Sequence, residues 1–301
     1  MPKSNSYVCV DLPKWAKTAL CDVAAALQRE PAKHLGVEGT SFRPHTLESI
    51  HMTCLFCGKS LCELSSGDLS RFHGALTQLA GGLQAEDARL EFLRYELFPP
   101  DKQNEVVALF RASPKLRALQ AGTVTAAGAH GLQCLKDVVE HSEESWCAHV
   151  TLGKIGAKSD SVGSLRLQHL PFPFSAALSE SGSIYAKGLI LVGDQPSRLH
   201  LDWHLPFLLG PGDHARRALE ELAAQEPSLA LDHAMEALAA GHPSGLALAG
   251  VAEAQLGQSD HAVTHLREAL AAEFPKHLQT FRGKCVSMLQ RLEQKTRAAA
   301  D

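Results

Sequence analysis

Residues 49–57 read SIHMTCLFC, and this apolar run with a His-x-Thr motif inside it decides the fold of the chain. The motif returns in residues 146–153, WCAHVTLG. Alternate residues of a β-strand point to one face, so each histidine has a threonine hydroxyl beside it. Two such strands side by side would offer two imidazoles and two hydroxyls to one small anion. Imidazoles that titrate near neutral pH can act as base and acid in one reaction.

The segments around the two motifs alternate between strand and helix up to about residue 208. The apolar spacing predicts helices over 14–29 and 66–82, and a third from Pro114 with Ser113 as its cap. Strands are predicted over 6–12, 49–57, 88–97, 104–111, 146–153, 173–178, 184–192 and 198–207. Short hairpin-like turns join several neighbouring strands, which favours an α+β fold with mostly antiparallel sheets.

The composition changes at the Gly/Pro-rich residues 209–213, LGPGD, which predicts a domain boundary. We therefore expect one domain over 1–208 and an all-α helical domain over 209–301. Residues 213–298 predict four or five helices, and residues 252–275 resemble a tetratricopeptide repeat. A weaker copy lies upstream, where Ala237 and Pro243 correspond to Ala269 and Pro275. A generic Ala/Leu helical bundle is the alternative.

Bulk properties exclude several classes of protein. The net charge of -4 over 301 residues gives no overall basic signature of a nucleic-acid binder. No apolar run approaches the roughly 20 residues of a membrane span, and the first strand is too short for a signal-peptide core. We expect a cytoplasmic protein, with the nucleus as the alternative and no membrane association. The eight scattered cysteines favour buried reduced thiols over disulfides, and the pair Cys54/Cys57 lacks the partner of a zinc site.

The paired His-x-Thr strands resemble those of the 2H phosphoesterase superfamily, which includes 2′-5′ RNA ligase-like proteins and 2′,3′-cyclic phosphodiesterases. The resemblance covers roughly residues 6–208. It implies two pseudo-symmetric lobes, each of which donates one motif into a central cleft. Carried over to this chain, it makes His51, Thr53, His149 and Thr151 the catalytic residues.

Elementary chemistry agrees with this assignment. Cleavage of a phosphodiester needs one proton removed from the attacking oxygen and one delivered to the leaving oxygen, and two imidazoles can do both. Threonine hydroxyls can stabilise the charge that grows on the non-bridging oxygens. No metal and no cofactor are required, and either histidine can be the base.

Weaker substrate-binding candidates surround the motifs. Arg43 and His45 precede the first motif and could reach a phosphate, while Tyr7 and Tyr185 could stack on a base or pack in the core. Lys154 points away from His149 if its strand is regular, which favours a solvated lysine.

The sequence thus predicts a metal-independent phosphodiesterase acting on RNA ends or small nucleotides, with a 2′,3′-cyclic phosphate or a 2′-5′ linkage as substrate. The alternative is a non-catalytic module that binds RNA or nucleotide, with the helical tail as a protein-interaction domain.

Overall fold

A computed structural model describes residues 6–58, 60–132, 146–156, 165–174, 183–194, 200–272 and 279–298. The chain divides into two compact units, Met1–Leu208 and Leu209–Asp301. Residues 158–164 and most of the predicted strand 173–178 lie outside the described residues. Among the helices within these ranges, none is both long enough and apolar enough to cross a membrane.

The N-terminal unit is an antiparallel sheet with flanking helices, as the sequence predicts. Its strands are β1 (Ser6–Asp11), β2 (Ser41–Pro44), β3 (Met52–Gly58), β4 (Arg89–Phe98), β5 (Glu105–Ala112), β6 (His149–Gly156), β7 (Ser183–Tyr185), β8 (Gly188–Asp194) and β9 (His200–Pro206). Its helices are α1 (Lys14–Arg29), α2 (Pro31–Leu35), α3 (Ser66–Gly81) and α4 (Pro114–Ala129), with short 3-10 turns at Ser60–Glu63 and Ala85–Asp87.

The sheet has two matching halves. Its strand order is β7-β4-β5-β6-β3-β1-β8-β9, and β2 pairs with β6. The two motif strands, β6 and β3, therefore meet at the centre, and three strands follow on each side. Met52 and Val150 are the pair that joins β3 to β6.

The order of strands requires the sheet to curl. Five strands separate β7 from β8 in the sheet, yet only Ala186 and Lys187 link them along the chain. Two residues cannot bridge the width of five flat strands, which are spaced about 4.8 Å apart. The sheet is accordingly a half-barrel, and its curl brings the two halves together.

The helices form where the sequence places apolar stripes and caps. In α1 the buried positions Ala16, Leu20, Val23 and Leu27 follow helical spacing, and the helix packs on β2 and β6. Ser65 caps α3 by accepting a hydrogen bond from the Asp68 N–H. These helices cover one face of the sheet, where the strand residues are fully buried.

Three details differ from the predicted elements. The chain between α1 and the first motif forms α2 and the four-residue strand β2, where a loop is expected. The expected strand 184–192 is two strands, β7 and β8. The break arises because the Ala186 N–H donates to the carbonyl of Ala88 beside β4, whereas the Lys187 N–H donates to the carbonyl of Asp11 in β1. Both motif strands begin three residues later than expected, β3 at Met52, one residue after His51, and β6 at His149.

The C-terminal unit is helical. Within its described residues lie α5 (Pro211–Ala223), α6 (Pro227–Ala239), α7 (Gly245–Gln255), α8 (Ser259–Ala271) and α9 (Gln279–Ala298). Each helix contacts the next, and α7 also contacts α5 and α9. Small side chains fill the core, among them Ala218, Ala234, Ala249 and Ala262. The tetratricopeptide-like assignment stays a prediction.

Candidate active site

The central strand pair brings the two His-x-Thr motifs together. Met52 and Val150 are opposite each other in an antiparallel ladder, and both are fully buried on the helix-covered face. Their neighbours in sequence therefore point to the other face of the sheet. In this register His51 falls across from Thr151, and Thr53 falls across from His149. The imidazoles and hydroxyls that the sequence singles out thus share one surface, and all four residues are half-buried.

Both imidazoles are held in the same way by their own strand. His51 Nδ1 donates to the carbonyl of Ser49 at 2.8 Å, and His149 Nδ1 donates to the carbonyl of Cys147 at 2.8 Å. A carbonyl only accepts hydrogen bonds, so Nδ1 carries the proton in each neutral ring and Nε2 carries the lone pair. Among the described residues, neither Nε2 has a hydrogen-bond partner. Both rings therefore present a free nitrogen for proton transfer.

An aromatic ring lies against each imidazole. Tyr7 stacks on His51 with a centroid distance of 4.5 Å and an interplanar angle of 8°. Phe98 lies against His149 at 4.7 Å with an angle of 33°. Tyr7 comes from β1 and Phe98 ends β4, so strands on both sides of the centre contribute to the site.

A one-residue bulge follows each motif. Leu55 pairs with Val8 and Thr53 with Cys9, which leaves Cys54 as the extra residue of β3. Gly153 pairs with Val106 and Thr151 with Val107, which leaves Leu152 as the extra residue of β6.

Side chains from elsewhere in the unit hold the carbonyls at the first bulge. Gln120 Nε2 of α4 donates to the carbonyl of Cys54 at 3.2 Å. Trp146 Nε1 donates to the carbonyl of Thr53 at 3.3 Å, which ties the segment before β6 to β3. The backbone that carries Thr53 is therefore fixed by contacts across the centre of the sheet.

The second bulge changes the face of the strand that Lys154 occupies, although the side chain is solvated as the sequence predicts. In a regular strand Lys154 would face away from His149, but the extra residue turns it to the same face as Thr151. There it pairs with Glu105, with Nζ and Oε1 3.6 Å apart, although most of its side chain remains exposed. Arg43 of β2 is opposite Lys154 on the other side of β6. Three charged side chains therefore line one end of the motif face.

Burial lowers the pKa of both catalytic candidates, but their charged neighbours differ. For His51 the loss of hydration is the largest cause, and the positive charges of His45, Lys17 and His149 lower the pKa further. For His149 burial again dominates, whereas the carboxylate of Glu105 raises the pKa and offsets part of that shift. Hydrogen bonds to the two backbone carbonyls also favour the charged forms. Both imidazoles are accordingly neutral near pH 7 in the unliganded protein.

The structure brings three of the four weaker candidates to this site. Tyr7 contacts His51, and Arg43 lies opposite Lys154. His45 places its Nδ1 3.2 Å from Ser49 Oγ, and burial lowers its pKa. Tyr185 is different: it pairs with Arg89 on the edge strand, at the far end of β4 from Phe98. Tyr185 lies two residues before Lys187, whose N–H donates to the carbonyl of Asp11 in β1.

Two residues of the site were not predicted from the sequence. Phe98 reads as an ordinary apolar residue at the end of a strand, and Glu105 as an ordinary strand-end charge. Each reaches the motif face only through strand register, since Phe98 pairs with Glu105 and Glu105 with Lys154. No local pattern in the sequence signals that register.

The remaining chemistry-bearing residues form no second centre in the parts of the chain that the structure describes. Within those parts, no three His, Cys, Asp or Glu side chains are grouped as a metal ion would need. Cys54 and Cys57 are buried thiols. Burial raises the pKa of Cys9 to about 12, so this thiol beside Thr53 stays protonated.

Comparison with known proteins finds likeness in structure only. No protein-family model and no curated protein matches the chain. Solved structures similar to it include TT0787 of Thermus thermophilus, with 18% identity and a TM-score of 0.44 over 67% of this chain and 98% of that one. E. coli LigT complexed with ATP aligns at 17% identity and a TM-score of 0.36, over 67% of this chain and 98% of that one.

A third similar structure is Usb1 of Kluyveromyces marxianus, at 10% identity and a TM-score of 0.37, over 68% of this chain and 98% of that one. None of the three confirms the prediction for the C-terminal helices.

Proposed function

We propose that the N-terminal unit is a metal-independent phosphodiesterase that acts on RNA ends or small nucleotides. The observation that carries this proposal is the pair of imidazoles on one face, each with Nδ1 bound to a carbonyl and with no hydrogen-bond partner for Nε2 in the part of the chain that the structure describes. A core histidine would have both nitrogens satisfied or packed against apolar groups. Two free, fixed Nε2 atoms across a strand pair are what a reaction with one proton acceptor and one proton donor needs.

The threonines complete the site for a phosphate. Neither Thr53 nor Thr151 has a hydrogen-bond partner for its hydroxyl among the described residues, so both can donate to non-bridging oxygens. Hydroxyls fixed on strands need little reorganisation when negative charge develops, which is the condition for electrostatic stabilisation of a transition state. One neutral imidazole takes the proton of the attacking hydroxyl or water, and the other, once protonated, gives its proton to the leaving oxygen.

A bound phosphate group also supplies a negative charge beside the two imidazoles, which the unliganded site lacks. Both imidazoles are neutral near pH 7 because burial lowers their pKa. A bound phosphodiester adds a negative charge beside them, and an opposite charge within a few ångströms raises the pKa of an imidazole. Substrate binding therefore prepares one of the two rings to act as the acid. Arg43 and Lys154, at one end of the face, favour an anionic ligand.

The test is a cleavage assay in excess chelator. The substrates are an oligonucleotide ending in a 2′,3′-cyclic phosphate, a 2′-5′ oligoadenylate and a 3′-5′ RNA. We expect turnover of at least one of the first two, and a loss of about 10³-fold or more in His51→Ala and His149→Ala, in line with removal of a general acid or base. His73→Ala is the matched control, because this histidine lies on α3 and contacts Trp203 rather than the motif face.

Two other outcomes would change the assignment. Turnover that persists in the double His51→Ala/His149→Ala protein would contradict the proposal. Binding at micromolar concentration without turnover would favour a nucleotide-binding module. A pull-down with the full chain would then test the C-terminal helices as the protein-interaction part.

A further inference from the structure

Two aromatic rings pack on the two catalytic imidazoles, and we propose that Tyr7 and Phe98 are positioning residues for His51 and His149. The inference rests on the proposed phosphodiesterase function and deepens it. Tyr7 covers one face of the His51 ring almost in parallel, at 4.5 Å. Phe98 covers one face of the His149 ring at 4.7 Å, tilted by 33°.

The need for a second contact follows from the geometry of the first. A hydrogen bond from Nδ1 to a carbonyl restrains rotation about χ1 and χ2, but the broad angular tolerance of a hydrogen bond still lets the ring rock. Such rocking would move Nε2, the atom that transfers the proton. A flat ring against the imidazole face blocks this motion, because any tilt brings the two rings into collision. A displacement of about 1 Å at a reacting atom costs roughly 100-fold in rate.

The two supporting rings come from strands that do not correspond in the two halves of the sheet. The motifs, the carbonyl anchors and the bulges all match when β3 is compared with β6. In the same comparison β1 corresponds to β5, yet Tyr7 lies on β1 and Phe98 lies on β4. A copied half would have placed the second ring on β5. The same contact is therefore made in two structurally different ways, which indicates that the contact itself is required.

A role in stacking on a substrate base is the competing interpretation. In the unliganded protein, one face of each aromatic ring is already covered by an imidazole. A positioning residue affects the rate of the chemical step, whereas a base-stacking residue affects substrate binding. The two roles therefore separate in steady-state kinetics.

The experiment compares the full-length wild type with Tyr7→Leu and Phe98→Leu on the substrate that it turns over. We expect kcat to fall about 10- to 100-fold in each variant while KM stays within about twofold. Tyr7→Phe and Phe98→Tyr keep a ring and should retain kcat within a few-fold. Tyr7→Met and Phe98→Met replace any leucine variant that fails to fold.

Proton NMR of the imidazoles tests whether each ring contact exists in solution, while the split between kcat and KM and the ring-keeping variants test the positioning role. The signals of the His51 ring should lose their ring-current shift in Tyr7→Leu but not in Phe98→Leu, and those of His149 the reverse. Phe172→Leu is the control, because this ring is 58% exposed and packs on Phe92 instead.

Three results would overturn the proposal. One is an unchanged kcat in both leucine variants, and another is a raised KM at constant kcat, which would make the rings base-stacking groups. The third is absence of any turnover by the wild type. That result would also contradict the proposed phosphodiesterase function, which the first two results would leave standing.

Discussion

Each histidine of the pair has the same hydrogen bond and the same kind of aromatic contact, but the charges around the two rings differ. Glu105 stabilises the imidazolium of His149, while Lys17 and His45 disfavour that of His51. Identical motifs therefore lie among different charges, since a carboxylate neighbours His149 and cationic groups neighbour His51. Such a difference suits a reaction in which one imidazole is neutral and the other charged.

Replacement of Glu105 by glutamine tests the effect of this single carboxylate on the pKa of His149. The carboxylate raises the pKa of His149 against the effect of burial, so Glu105→Gln should lower that pKa further. The limb of the pH–rate profile that belongs to His149 should then move to lower pH, while the one that belongs to His51 stays in place. Histidine NMR titration measures both pKa values directly.

The matched control is Glu91→Gln, which removes a carboxylate that pairs with Arg111 instead of facing the motifs. It should leave the pKa of His149 where it is in the wild type. A rise in the pKa of His149 in Glu105→Gln would contradict the electrostatic account.

Site residues could be predicted from the sequence where they belong to a short motif that occurs twice. His51 and His149 stand out because each has a threonine two positions later in an apolar run. Phe98 could not be recognised, because its role depends on pairing with a strand that lies across a turn. The solvent exposure of Lys154 was predictable, but its face of the strand was not, because a bulge changes which face a residue occupies and only Gly153 within residues 149–154 marks that bulge.

At the scale of elements, the strand that carries the second motif depends on one glycine. A Cβ on Gly153 would lie 2.3 Å from the carbonyl oxygen of Arg43 and 2.8 Å from the Cα of Pro44. These are backbone atoms of β2, which cannot move aside without leaving the sheet. Gly153 thus allows β2 to approach β6 closely at the bulge, and it sets the position of Arg43 and His45.

We expect Gly153→Ala to displace β2, with a loss of about 1–3 kcal/mol in the free energy of unfolding. Catalytic efficiency should fall as well, because the displaced strand carries residues that border the site. Urea denaturation followed by tryptophan fluorescence measures the stability. All three tryptophans, Trp15, Trp146 and Trp203, lie in the N-terminal unit.

Gly156→Ala on the same strand is the control. There a Cβ would meet only the side chain of Ser41, with the hydroxyl nearest at 2.5 Å, and that hydroxyl can rotate away. Gly156→Ala should lower the free energy of unfolding by no more than about 1 kcal/mol, the contribution of one hydrogen bond. Equal stability losses in the two variants would show that the backbone contact at Gly153 is not the deciding one.

Elements were predictable in proportion to their length and regularity. Helix α1 is observed over the predicted residues because five apolar positions follow one periodicity over four turns. Strand β2 was read as a loop, since four residues that include Pro44 give too short a pattern. The division of 184–192 into two strands reflects the curl of the sheet, which is a property of the whole unit.

At the scale of the molecule, the C-terminal unit has its own core and can be perturbed separately. Gly245 begins α7 and packs directly on α6: a Cβ there would lie 2.6 Å from the Cα of Leu238. Gly283 in α9 has nothing within 4 Å of the corresponding position. An added methyl group would therefore collide with a neighbouring helix at Gly245 but would meet open space at Gly283.

We expect Gly245→Ala to destabilise the helical unit by about 1–3 kcal/mol, since the backbone of α6 must move away. Gly283→Ala should stabilise it by about 0.5–1 kcal/mol, because alanine is the better residue in an open helix interior. Circular dichroism at the helix minimum follows the helices of both units, and tryptophan fluorescence, which reports on the N-terminal unit, identifies that unit's share. A less stable Gly283→Ala or an unchanged Gly245→Ala would contradict this account of the two glycines.

The path of the chain through the N-terminal sheet has a consequence for shortened forms of the protein. The half with His51 is built from both ends of the unit, β1 and β3 at the start and β8 and β9 at the finish, and the half with His149 is inserted between them. A chain that stopped at Tyr185 would keep both motifs but leave β1 without its neighbour on one side. We therefore expect splice variants or proteolytic fragments of this kind to lack the proposed activity, even though they contain both motifs.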